Sequence, residues 1–150
     1  MSKANGSIKT TLDNKSAIKA IRRAGSSFGS LIEKRIGFYE IKDNVQRTNW
    51  STTWPATTEI RVTPSDVGND TVILLYSHNF GFGPIQRKEC ESKLGAIKAA
   101  IEDEFEKIER ENKASLNDNM EALLKLKRLL DVGAITQEEY NTKKKQLLWL

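Results

Sequence analysis

Residues 71–111 read TVILLYSHNFGFGPIQRKECESKLGAIKAAIEDEFEKIERE, and the apolar period changes once inside them. "TVILLYSHNF" (71–80) is rich in β-branched and aromatic residues, which suit a pleated surface, and predicts the most apolar, central strand of a sheet. "GFGP" (81–84) ends it, because proline has no N–H to offer a ladder. Leu94, Ile97, Ile101, Phe105 and Ile108 then step by three and four, which puts them on one side of a helix over about 87–111. Its other side, around "EDEFEKIERE", is acidic and suited to water. A helix with one long apolar stripe needs a sheet to lie on.

Upstream residues supply that sheet. In 31–43, "LIEKRIGFYEIKD", alternation places Ile32, Ile36 and Phe38 on one face and Arg35, Tyr39 and Ile41 on the other. "VQRTNWSTTWP" (45–55) carries the Thr and Trp of a further strand, and "TTEIRVT" (57–63) aligns Thr58, Ile60 and Val62. "PSDVGND" (64–70) has the composition of a hairpin turn. At the front, "GSIKTTL" (6–12) alternates as a short strand. "DNKSAIKAIRRAG" (13–25) switches to helical spacing through Ala17, Ile18, Ile21 and Ala24. Asp13 or Asn14 is suited to cap its start, and Gly25 to end it in the left-handed conformation.

The predicted order is strand, helix, four strands, helix. The expected fold class is α+β: a four- to five-stranded antiparallel sheet packed on a long helix, followed by a C-terminal two-helix hairpin. In topology alone this is similar to TBP-like or helix-grip folds. The α+β part is expected over 1–111, with "NKASLND" (112–118) as a polar linker and the hairpin over 119–150.

The hairpin's local chemistry agrees at each step. Asn117 or Asp118 can cap a first helix whose stripe is Leu123, Leu126 and Leu130. Gly133 stands where a helix end calls for positive φ. Thr136 and Glu139 have the spacing of a capping box, and Ile135 can staple onto Tyr140. Leu147 extends the second stripe, and Lys143, Lys144 and Lys145 favour the helix's negative end.

Here the residues carry a resemblance. Leu126-Lys127-Arg128-Leu129-Leu130-Asp131, Gly133, Ile135-Thr136, Glu138-Glu139-Tyr140, Lys143-Lys144 and Leu147-Leu148 resemble the bacterial short C-terminal domain, SHOCT. Tyr140 stands where that family most often has Phe, and Ala134 precedes the Ile. The resemblance covers about 120–150. It implies a module at the end of otherwise unrelated bacterial proteins that mediates oligomerisation or protein–protein contact, without catalysis. Physically, some 30 residues with a handful of apolar side chains gain too little to offset chain entropy unaided, so the stripes need an occupant. Either the chain's own sheet or a second protein surface would serve. The expected partner-binding residues are Leu123, Leu126, Leu130, Ile135, Tyr140, Leu147 and Trp149.

Composition bounds the rest. The chain has 150 residues, 38% hydrophobic and 29% charged, with a net charge of +4. No stretch approaches the roughly 20 apolar residues of a membrane span. The opening "MSKANGSIKT" lacks the apolar core of a secretory signal, and Cys90 is the only cysteine, so a reduced, cytoplasmic setting is expected. Residues 1–88 carry 13 Lys/Arg against 7 Asp/Glu, a modest positive field without the dense basic run of a nucleic-acid arm.

The residues offer little chemistry. His78 has no second histidine for a zinc site, and Cys90 is expected half-buried at a helix start. "GFGP" lacks the Lys and Ser/Thr of a phosphate loop. No catalytic residue, metal site or cofactor is expected, and the protein is read as non-enzymatic. A secondary candidate site joins Arg35, Tyr39, Trp50 and Trp54, an aromatic and basic set that could hold an anionic or amphipathic small ligand on the sheet. Association with itself or another protein is the first expectation, and a small-ligand or lipid-binding module the second. Weak nucleic-acid binding through the basic front half is the third.

Overall fold

The computed structural model describes residues 1–43, 54–64 and 70–148. Among these residues the elements are β1 (Ser2–Thr10), α1 (Asn14–Gly25), β2 (Ser30–Arg35), β3 (Phe38–Lys42), β4 (Thr57–Pro64), β5 (Thr71–Asn79), α2 (Pro84–Asp131) and α3 (Gln137–Leu148). The strands form one antiparallel sheet in the order β1-β5-β4-β3-β2. This is the α+β arrangement the sequence predicts. The chain divides into two compact units, Met1–Ile108 and Glu109–Leu150.

In the first unit one face of β1, β3, β4 and β5 is buried, and Leu31 of β2 packs at its margin. Register sets Ile8 opposite Ile73, Ile60 opposite Leu75 and Tyr39 opposite Ile60. These side chains are buried with Ala17, Ala20 and Ile21 of α1 and with Leu94, Ile97, Ile101, Phe105 and Ile108 of α2. The predicted α2 stripe is therefore the helical half of the core. The interior where a helix-grip ligand would lie is occupied by these side chains. Asp13 caps α1, accepting from the Ser16 N–H, and hydrogen bonding from the Ser16 side chain, aided by that N–H, lowers its carboxyl pKa.

Several boundaries differ from the sequence reading. Residues 31–43 form two strands, turning at Ile36 and Gly37, whose φ is 79°. A register shift between Glu33 and Arg35 accompanies the turn, so Ile36 is 86% exposed and Arg35 leaves the face of Tyr39 and Ile41. "VQRTNWSTT" and the turn residues 65–69 lie outside the described residues. Among the described residues four strands lie between α1 and α2, two of them from 31–43. β5 is interior, but β4 is the middle strand. Gly25 ends α1 without positive φ. It is instead buried, where a Cβ would stand 3.0 Å from Leu31 Cδ1. Finally, the polar run 112–118 is helical and lies inside α2. It contains neither Gly nor Pro, so nothing in it interrupts the backbone ladder.

Candidate functional site

The second unit is built as the local chemistry predicts. At the end of α2, the Gly133 N–H donates to Leu130 O at 3.0 Å and the Ala134 N–H to Leu129 O at 2.9 Å. This paired closure needs Gly133 at its φ of 76°. α3 starts with the reciprocal box: the Glu139 N–H donates to Thr136 Oγ1 at 3.2 Å and the Thr136 N–H to Glu139 Oε2 at 2.8 Å. Lys125 with Glu121 and Lys127 with Asp131 form i,i+4 ion pairs on the surface of α2.

Leu123, Leu126, Leu130, Ile135, Tyr140 and Leu147 are all half-buried. Leu126 and Ile135 share a groove with Thr136, Glu139, Thr142 and Lys143. Trp149 lies outside the described residues. No residue of 109–148 is buried, and a second set of apolar side chains stands in the open: Leu116, Met120, Leu124, Leu129 and Val132 are 57%, 56%, 61%, 43% and 76% exposed. The sequence reading missed this set. Leu116, Met120 and Leu124 recur every four residues, a stripe visible only once 112–118 is taken as helix.

Of the secondary set on the sheet, Arg35 and Tyr39 lie on opposite faces. Tyr39 is fully buried on the helix-facing side, and its hydroxyl donates to Glu33 Oε1 at 3.2 Å. Burial, and then the Glu33 charge, push its pKa up. Arg35 is exposed with its guanidinium 5.8 Å from the Phe38 ring, on the other face. Trp54 is half-buried, its ring 6.4 Å edge-on to Phe80. Trp50 lies outside the described residues.

On the uncovered sheet face, Asn5, Glu59, Arg61, Leu74 and Tyr76 surround a shallow depression. His78 Nε2 stands 3.9 Å from Glu59 Oε1 and the His78 ring 5.4 Å from that of Tyr76. Among the described residues no three His, Cys, Asp or Glu side chains gather as a metal site. Many cations of the front half already have carboxylate partners: Arg22 with Glu33, Arg23 with Glu104 and Lys34 with Glu40.

One buried polar cluster fixes the start of α2. Asn79 Nδ2 donates to Trp54 O at 3.4 Å and to Gln86 O and Oε1 at 3.3 Å. The Trp54 N–H donates to Gln86 Oε1 at 2.9 Å, and Ser2 Oγ to Gly81 O at 3.1 Å. Cys90 lies beside it, fully buried rather than half-buried, because it falls on the inner side of α2. Its Sγ is 3.7 Å from Ser2 O, and burial raises the thiol pKa.

No helix among the described residues is long and apolar enough to cross a membrane. No curated protein matches the chain. Among solved structures, one titled "Crystal structure of Ara h 8.0201" is similar at a TM-score of 0.38 and 10% identity, over 67% of this chain and 94% of that one. A likeness of that degree carries no weight for function. Residues 121–148 match the family model of SHOCT, the short C-terminal domain, so the capped hairpin at the end of this chain is a SHOCT segment.

Proposed function

We propose that this protein is a non-enzymatic interaction protein that associates through its C-terminal hairpin with a protein surface, foremost a second copy of itself. The observation that carries the reading is the hairpin's imbalance. Its turns and caps are complete, yet it buries no side chain and leaves Leu116, Met120 and Leu124 in one open row on α2. Three large apolar side chains at helical spacing gain by being covered, at about 1.5–3 kcal/mol for each one fully buried. The SHOCT match supports the same reading, since it falls on this hairpin. The occupied interior between sheet and α2 gives the small-ligand alternative no comparable support.

Light scattering on the full chain at micromolar concentrations tests this. The expected mass is above that of one chain, and Met120→Glu with Leu124→Glu should weaken association about a hundredfold. A wild-type chain that stays monomeric at high concentration would remove self-association.

A further inference from the structure

The exposed apolar residues of the first unit are not confined to scattered positions. Phe80, Phe82 and Ile85 are 71%, 83% and 62% exposed, and they sit within six residues of one another, the two phenylalanines between β5 and α2 and Ile85 in the first turn of α2. Met1 at the start of β1 is 44% exposed. Isolated exposed apolar residues are ordinary, but two phenylalanines on a short loop and an isoleucine on the helical turn that follows are not.

The loop is held so that these side chains point away from the core. Asn79 and Gln86 tie its ends together, and Ser2 holds the Gly81 carbonyl. At Gly81 a Cβ would lie 2.6 Å from the Gln86 side chain, so the inner side of the loop has no room for one. Around Gly83, by contrast, there is nothing within 4 Å of a Cβ. The inside of this loop is fixed and its outside is open.

The surroundings are cationic. From Ser77 to Lys88 there is no carboxylate, and Arg87 and Lys88 are exposed, although Glu89 and Glu91 follow on the next turn of α2. Arg87 pairs with Glu91 at 3.0 Å, one turn further along α2. Met1, Lys3, Gly83, Pro84 and Arg87 line one depression, which brings Met1 and two cations to the backbone of the loop at Gly83 and Pro84. The first turn of α2 has no acidic residue against its positive end.

From this juxtaposition we propose that the 80–85 loop is a peripheral docking site for an anionic lipid surface. Phe82 and Ile85 enter the acyl boundary, while Lys3, Arg87 and Lys88 lie at the level of the phosphates. A protein partner would need a complementary patch of several hundred Å2. Side chains that protrude from an open loop provide no such patch, whereas a fluid bilayer closes around them without one. Adjacent cations add attraction to anionic headgroups. This docking is independent of the hairpin and does not require a membrane-crossing segment.

Co-sedimentation of the full chain with vesicles tests it, using phosphatidylcholine alone and an equal mixture with phosphatidylglycerol. Binding to the mixed vesicles is expected, with little to phosphatidylcholine alone. Phe82→Ser with Ile85→Ser, both at exposed positions, should reduce partitioning about tenfold, and Lys88→Glu should reduce it further. Absence of binding to the mixed vesicles would overturn the proposal. So would undiminished binding by the Phe82/Ile85 variant, which would assign the contact to general charge. A change of molecular mass in that variant without loss of vesicle binding would assign the loop to a second copy and also overturn it.

Discussion

Cys90 shows how far placement alters a side chain's chemistry. Lacking a neighbouring cation and fully buried on α2, its thiol is held neutral by the cost of desolvating a thiolate. Alkylation of the native chain near neutral pH should therefore be at least about a hundredfold slower than in denaturant, as thiol-reagent kinetics would report. The linkage has a definite sign. A thiol whose folded pKa exceeds its unfolded value contributes stability that is fully present below the unfolded value, about 8.5, and lost as pH rises through the folded one. Urea midpoints of the wild type should fall above about pH 9. Cys90→Ala should lower stability at neutral pH but remove that part of the alkaline decline.

The hairpin's closing elements carry a separable test. Gly133→Ala forces a Cβ into positive φ and should cost about 1 kcal/mol. Thr136→Ala removes half of the capping box and should cost about the same. Circular dichroism should show both variants losing helix, while β5 stays protected from exchange. These elements were legible in the sequence because each rests on residues within six positions. Glu139, Thr136 and Gly133 interact with near neighbours, and no distant part of the chain is needed to place them. The α2 stripe from Leu94 to Ile108 was legible for the same reason. Polarity misled the reading of 112–118: Asn112, Ser115 and Asn117 are weak helix formers, but a helix in progress loses only a few tenths of a kcal/mol at each. The hairpin in 31–43 was hidden because alternation continues in appearance through Ile36 and Gly37, and only pairing shows the reversal. For the sheet set, sequence proximity stood in for spatial proximity, which Arg35 and Tyr39 on opposite faces do not satisfy.

At the scale of the whole molecule, burial is distributed unevenly. Unit Met1–Ile108 holds every fully buried side chain among the described residues, and 109–148 holds none. Amide exchange should follow that division: β5 and the α2 segment around Ile97 and Ile101 exchange last, and α3 exchanges among the first. If the hairpin associates as proposed, raising the protein concentration should slow exchange in 116–132 selectively. The sheet itself leaves two outer strands, β1 and β2, each with one side unpaired among the described residues. β2 carries the register shift beside Lys34 and Arg35, and β1 carries Lys3, Lys9 and a glycine in its middle. An extended chain laid along either strand would meet a broken ladder or a row of like charges. Among the described residues the molecule thus exposes apolar rows on helices and on a loop while its strand edges are poor templates for backbone pairing, so the association proposed for it would be made by side chains rather than by backbone.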